Sequence, residues 1–177
     1  AKLTAPWLIR DIDELLKRTT AREHFEIQEK DLSALVVVLG SGKALEAEQM
    51  KSLSARLAEQ FSHKAIIRFS APCANWPLLK YMPGIDLIVG SGGYNIVQEI
   101  RATKTRLLAF PRKRLYDRQF SRLKPDEIVN NEGDLVNAVS HFLNTHIPHE
   151  KQTPQYPNGV HQAVEAITEL AAEWVSN

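Results

Sequence analysis

The order of apolar and polar residues along the chain predicts alternating strands and helices. Short apolar runs rich in β-branched residues are typical of strands that are buried on both faces of a parallel sheet. Longer segments between them carry apolar residues at helical spacing, as at Leu45, Met50, Leu53, Leu57 and Phe61. The predicted strands cover residues 35–39, 65–69, 85–89, 107–110 and, as a short fifth strand, 127–129.

This alternation predicts an α/β fold, a doubly wound Rossmann-like parallel sheet. We expect the sheet domain at 34–145, after a linker and N-terminal helix at 1–33, and before a linker and C-terminal helix at 146–177. Asp11 is the expected N-cap of the first helical segment, which continues to Phe25. Both flanking segments carry apolar stripes that the sheet does not need. We therefore expect an exposed apolar patch at which a neighbouring domain packs.

Two glycine turns each join a predicted strand to a helix. Gly40, Ser41 and Gly42 follow the first strand, and Gly92 and Gly93 follow the third. Such turns point free backbone N–H groups and the positive end of a helix dipole at one place, which suits a phosphate. Glycine also lets the ligand approach the backbone closely. A turn that serves the fold alone is an equal alternative for these short motifs.

Glu99 lies about two helical turns beyond the second glycine turn. A carboxylate at this distance reaches a neutral polar group beside the phosphate, and it can accept hydrogen bonds from a vicinal diol such as a ribose. The pattern disfavours nicotinamide dinucleotides, because Leu45 and Asn95 occupy the places of the third glycine and neither following strand ends in an acid. A P-loop is excluded, because neither turn is followed by Gly-Lys-Ser or Gly-Lys-Thr.

Composition narrows the functional classes further. The chain has 22 basic and 21 acidic residues, a net charge of +1, so no overall field recruits nucleic acid. Its one cysteine, Cys73, rules out an internal disulfide framework and fits a reducing compartment. No apolar run reaches the roughly 20 residues that span a bilayer. We therefore expect a cytoplasmic protein, with peripheral contact to a membrane surface as an alternative.

The run Gly92-Gly93-Tyr94-Asn95 followed by Glu99, together with the segments 107–112 and 117–119, resembles a known family. It is similar to the C-terminal domain of two-Rossmann-domain (GT-B) glycosyltransferases, in particular the group with the cell-wall N-acetylglucosaminyltransferase. The resemblance covers residues 34–143. It implies that the chain is the C-terminal half of a GT-B fold and binds a nucleotide sugar, usually a uridine diphosphate sugar.

The resemblance also implies roles for individual residues. The glycine turn that continues into Tyr94 and Asn95 would face the diphosphate, Glu99 would hold the ribose hydroxyls and Gln119 would contact the donor sugar. The loop 40–42 would face the diphosphate from the opposite side, and backbone near Phe69 or Ser70 would receive the base. Arg112 and Arg118 are our candidates from the basic stretch 112–124 for reaching the crevice. A solvated basic face is the commoner alternative for that stretch.

These roles imply the donor-binding domain of a glycosyltransferase. We expect no cofactor and no metal, since the nucleotide sugar is itself the substrate. The catalytic base is expected on a separate N-terminal domain, in the same polypeptide or in a partner subunit, so this chain alone would be inactive. The alternative is a degenerate, non-catalytic domain that docks a protein partner. It is motivated by Lys104-Thr105-Arg106, where the family has Gly-x-Pro, and by a shortened segment after Gln119.

Overall fold

The computed structural model describes residues 9–28, 31–40, 42–112, 118–146, 156 and 158–176. Four strands form the centre of the fold, and all of them pair in parallel. The strands are β1 (Ala34–Leu39), β2 (Ala65–Ser70), β3 (Leu87–Gly90) and β4 (Arg106–Ala109). Their order in the sheet is β2-β1-β3-β4. This arrangement confirms the α/β fold with a Rossmann-like parallel sheet.

Helices connect and flank these strands. The α-helices of the described residues are α1 (Arg18–His24), α2 (Ala44–Gln60), α3 (Tyr94–Thr103), α4 (Gln119–Arg122), α5 (Glu132–Thr145) and α6 (Val160–Ser176). Short 3-10 helices occur at Ile12–Glu14, Leu78–Gly84 and Pro125–Glu127.

The sheet is covered on both faces, as its apolar strands require. Alternate side chains of β1 point to opposite faces, because a strand has a period of two residues. Val36 and Val38 pack with α2 and α5 in one buried cluster. Leu35 and Val37 pack with α3 and the 3-10 helix Leu78–Gly84 in the other. The sheet is therefore doubly wound, with β1 and β3 in its centre.

The strand order creates a switch point at the carboxyl end of the sheet. The chain passes from β1 through α2 to β2 on one side, and later enters β3 on the other side of β1. In the register, Val38 lies opposite Val89, so the two glycine turns that follow β1 and β3 begin next to each other. In open α/β sheets, ligands bind in the crevice at such a point.

The amino ends of the strands form the opposite side of the sheet, which we call the amino edge. Asp86, directly before β3, is the centre of a polar network there. Its side chain is 1% exposed and pairs with Arg18 at 2.8 Å and Arg22 at 3.3 Å. The backbone N–H of Leu35 also donates to Asp86 Oδ2 at 2.8 Å. Arg22 in turn donates to the carbonyl of Ser33 at 2.8 Å. This network joins α1 to the amino ends of both central strands.

Three expectations about the elements need correction. The fifth strand is wrong, because Pro125 begins a 3-10 helix and leaves only an isolated bridge between Ala109 and Ile128. The N-terminal segment is not one continuous helix, since an interruption separates the 3-10 helix Ile12–Glu14 from α1. Leu45 does not join the buried stripe of α2 and is 74% exposed. Leu45 is the second residue of α2 and lies in its first turn.

Helix α6 presents a row of exposed apolar side chains. Val164, Ile167 and Leu170 are each more than half exposed, and Trp174 is 88% exposed. The apolar side chains of this helix are exposed as expected, and the packing of a neighbouring domain on them stays a prediction. At the N-terminal end, Leu15 is only partly buried, and Trp7 lies outside the described residues. No helix in the described part of the chain is long and apolar enough to cross a membrane.

Candidate functional site

A cavity of about 410 Å³ lies at the switch point between the carboxyl ends of β1 and β3, and we call it the central cavity. The turn after β1 contributes Gly40 and Gly42 to its wall. The turn after β3 contributes Gly93, followed by Tyr94 and Asn95 of α3. The structure therefore brings the two predicted glycine turns together around one space.

The glycines of the two turns have different roles. Gly92 has a φ of +73°, and a Cβ there would lie 2.9 Å from Leu123 Cδ1. A Cβ on Gly40 would lie 2.9 Å from Pro72 Cδ. Both positions need glycine for the fold itself. At Gly42 and Gly93 an added Cβ would meet nothing within 4 Å. These two glycines therefore border open space in the cavity.

The start of α3 faces the central cavity. Gly93 is the N-cap of this ten-residue helix, and Tyr94, Asn95 and Ile96 of its first turn line the cavity. The first N–H groups of a helix have no acceptor within the helix, and the helix dipole places partial positive charge there. An anion in the central cavity would meet these groups. By contrast, the Gly40 N–H is already used, because it donates to the carbonyl of Ser70 at 2.8 Å.

A smaller cavity of about 180 Å³ adjoins the central one and shares Gly40 and Asn95 with it. Glu99 lines this smaller cavity, together with Ser70 and Trp76. Burial raises the pKa of the Glu99 carboxyl to about 7, and the positive charge of Arg10 opposes the shift. Glu99 thus lies at the end of the crevice, with a charge that the protein itself stabilises poorly.

Two segments distant in sequence approach this end of the crevice. The Arg10 guanidinium lies 5.9 Å from the centre of the Trp76 ring, and Trp76 is 68% exposed. The hydroxyl of Tyr156 donates to the Arg10 carbonyl at 2.8 Å. Burial and the nearby acids Asp11, Glu14 and Glu99 raise the pKa of this phenol to about 12. Arg10 and Tyr156 therefore meet beside Glu99.

Arg112 lies at the other end of the central cavity, three residues after the end of β4. Its Nη1 pairs with Glu46 of α2 at 2.9 Å. Its backbone N–H donates to Gln119 Oε1 at 2.8 Å, and Gln119 is only 4% exposed. Gln119 therefore fixes the backbone at Arg112, and it is not among the residues that line the cavities described here. The buried Arg112 Nε makes no hydrogen bond within the described residues.

Two further predicted site residues, Phe69 and Arg118, do not line the central or the smaller cavity. Phe69 packs against the buried cluster under α2. Arg118 is exposed and precedes α4, and it is not among the lining residues of the central or the smaller cavity. The ring of Tyr94 lies 5.5 Å from the Arg122 guanidinium. Ser41 lies outside the described residues.

Sequence reasoning missed the neighbours that complete the crevice. Glu46 was not assigned a role, although it neutralises part of the Arg112 charge. Asn75 and Cys73 line the smaller cavity with Glu99. Their position in the loop after β2 was the available signal, because loops at the carboxyl ends of parallel strands form the ligand crevice. Arg10 and Tyr156 had no such signal, since only tertiary packing brings them to Glu99.

The fold and the crevice define this chain as a Rossmann-like α/β protein with a glycine-lined cavity at its topological switch point. No protein-family model matches the chain, and no curated protein or solved structure is significantly similar to it. Its function must therefore be argued from the crevice itself.

Proposed function

We propose that the crevice binds the nucleoside diphosphate part of a nucleotide sugar, in particular uridine diphosphate, and that the chain is the donor-binding domain of a glycosyltransferase. The observation that carries the proposal is the central cavity, which lies between two glycine turns and continues to a half-buried carboxylate on α3. Gly42 and Gly93 border open space that their own fold does not fill. A ligand that needs close contact with backbone N–H groups would use that space.

The diphosphate would occupy the central cavity. Its oxygens would accept hydrogen bonds from the first N–H groups of α3, where the helix dipole favours negative charge. Arg112 borders the same cavity and supplies a positive group. In a sugar transfer, the bond between the anomeric carbon and the diphosphate oxygen breaks, and negative charge develops on the departing diphosphate. Donors already aligned toward that charge would lower the barrier.

The ribose would lie in the smaller cavity beside Glu99. A carboxylate accepts hydrogen bonds from both hydroxyls of a vicinal diol. Burial disfavours the charged form of Glu99 in the free protein. Two hydroxyl donors would restore the stabilisation that water no longer supplies. Trp76 and Ser70 border the same space and would contact the nucleoside.

A second candidate function is a docking module that has kept the fold and lost the donor. The exposed apolar row on α6 favours it, because such a surface is typical of an interaction site. Lys104, which stands where the family pattern has glycine, takes the left-handed conformation, with φ of 54°. This turn therefore closes without glycine, so the departure from the family pattern does not damage the fold.

Calorimetry with uridine diphosphate separates the two functions. For the transferase domain we expect a dissociation constant on the order of micromolar, weakened about tenfold or more in Glu99→Ala. Glu165→Ala is the matched control, since Glu165 is an exposed carboxylate on α6, and it should leave the affinity unchanged. Absence of binding up to about millimolar ligand would reject the donor-binding function and favour the docking module.

A further inference from the structure

A third space borders the crevice on the side of α2 and α5, and we call it the lateral cavity. Its volume is about 590 Å³, which lies in the range of small-molecule sites. It shares Met50, Phe110 and Arg112 with the central cavity, so the two spaces are contiguous. Nothing in the donor-binding proposal uses the rest of this cavity.

The wall of the lateral cavity is mostly apolar. Leu53 and Val129 form its buried part, and Phe120 of the short helix α4 is 48% exposed. An aromatic ring that is exposed at a cavity, next to buried aliphatic side chains, offers apolar surface to a ligand. The surface is therefore suited to a ring or an alkyl chain rather than to a fully hydroxylated sugar.

The charged groups of this wall are already paired. Arg56 makes a bidentate contact with Glu132, at 2.6 and 2.8 Å, and Arg112 Nη1 pairs with Glu46. The wall thus has no excess charge that would select an ion. An uncharged ligand therefore fits this wall better than an ion.

We propose that the lateral cavity binds an uncharged, largely apolar group, such as an aromatic ring or an acyl chain. The position beside the central cavity assigns this group to the second substrate, the sugar acceptor. This assignment to the acceptor rests on the proposed donor site, whereas the binding of the apolar group does not.

The probe for this proposal is 6-propionyl-2-dimethylaminonaphthalene, an uncharged fluorophore with an apolar ring system and one carbonyl. We expect saturable binding to the full chain with a blue-shifted emission. Phe120→Asp places a charge at the cavity and should weaken binding about tenfold or more. Ile167→Asp is the matched control, because it changes an apolar side chain of comparable exposure on α6, and it should change the affinity less than about twofold.

Far-UV circular dichroism and the urea midpoint verify that each variant is folded. If Phe120→Asp does not fold, Gln49→Trp serves instead, because Gln49 is an exposed residue of α2 that lines the cavity and a larger ring there narrows it. Equal affinity of wild type and the folded cavity variant, loss of binding in Ile167→Asp, or absence of saturable binding would each overturn the proposal.

Uridine diphosphate added with the fluorophore tests the relation of the two cavities. We expect both ligands to bind at once. Displacement of the fluorophore by the nucleotide would place it in the central cavity and overturn the lateral site. If the nucleotide does not bind while the fluorophore binds in the expected pattern, the donor site and the acceptor assignment fail together, and the lateral site itself is supported.

Discussion

The carboxylates at the amino and carboxyl edges of the sheet differ in how well the protein stabilises their charge. At the amino edge, Asp86 is buried and accepts from Arg18, Arg22 and the backbone N–H of Leu35. At the carboxyl edge, burial raises the pKa of Glu99 to about 7. Both carboxylates are at least partly withdrawn from water, but among the described residues only Asp86 has hydrogen-bond partners that stabilise its charge.

This difference distinguishes polar groups that stabilise the fold from polar groups that are available to bind a ligand. A buried charge with several partners belongs to the structure, because removing one partner leaves the others unsatisfied. A partly buried carboxylate with a raised pKa, next to a cavity, is typical of a functional site. The contrast predicts that substitutions at the amino edge reduce stability, whereas substitutions at the carboxyl edge mainly reduce binding.

The largest expected effect is that of Asp86→Ala. The substitution leaves Arg22 buried without its carboxylate and removes the acceptor of the Leu35 N–H. We expect the free energy of unfolding to fall by about 3–5 kcal/mol, measured by urea denaturation. Asp126→Ala is the control, since Asp126 pairs with Arg106 at the surface and should cost less than about 1 kcal/mol. Equal costs for the two variants would contradict the comparison.

The next largest effect distinguishes the two adjacent glycines of the second turn. Gly92→Ala should destabilise the fold by about 2 kcal/mol, because its φ is +73° and its Cβ would press on Leu123. Gly93→Ala should change stability by less than about 0.5 kcal/mol, since its Cβ meets open space. It should nevertheless weaken uridine diphosphate binding. A Gly93→Ala protein that binds normally would show that the turn does not contact the ligand.

The third prediction concerns the pH dependence of stability. The folded protein holds a proton on Glu99 up to about pH 7, whereas an unfolded glutamate releases it near pH 4.3. The folded state therefore binds more protons between these values, and stability is lost as the pH rises through this window. In the wild type we expect the free energy of unfolding to fall on the order of 1 kcal/mol across this window, a value that allows for the partial exposure of the carboxyl. Glu99→Gln should remove this loss. Identical pH profiles of the two proteins, from urea titrations at about pH 5 and pH 8, would contradict the burial of this charge.

The smallest effect is expected on α6. Ile167→Ser replaces an exposed apolar side chain, so stability should change by less than about 0.5 kcal/mol in urea denaturation. Self-association through the apolar row should decrease, which sedimentation velocity can measure. A large loss of stability would mean that α6 packs on the domain rather than offering a surface.

The sequence was sufficient for the parts of the fold that local patterns determine. Strands β1 to β4 and helices α2, α3, α5 and α6 follow from the alternation of apolar runs and helical stripes. The meeting of the two glycine turns follows from the rule for parallel sheets. The 3-10 helix at Pro125 could not be predicted from the pattern alone, because the apolar run after it also fits a strand. The pairing of its Glu127 with Arg101 is a tertiary contact that no local pattern shows.

The candidate site was predictable only in part. Gly42, Gly93 and Glu99 have clear signals in their turns and helix, and the structure places them along one crevice. The burial of Gln119 and its bond to the backbone of Arg112 depend on a tertiary contact. The approach of Tyr156 to Arg10 joins residues 146 positions apart. No local pattern encodes such distant contacts.

The most direct test of the account is an amide chemical-shift titration of the labelled protein with uridine diphosphate. The account predicts that the largest shifts occur at Gly42, Gly93 and Glu99, at the carboxyl edge of the sheet. The amides of Leu35 and Asp86, at the amino edge, should not move. Shifts confined to the amino edge or to α6, or no shifts at all, would contradict the claim that the glycine-lined crevice is the binding site.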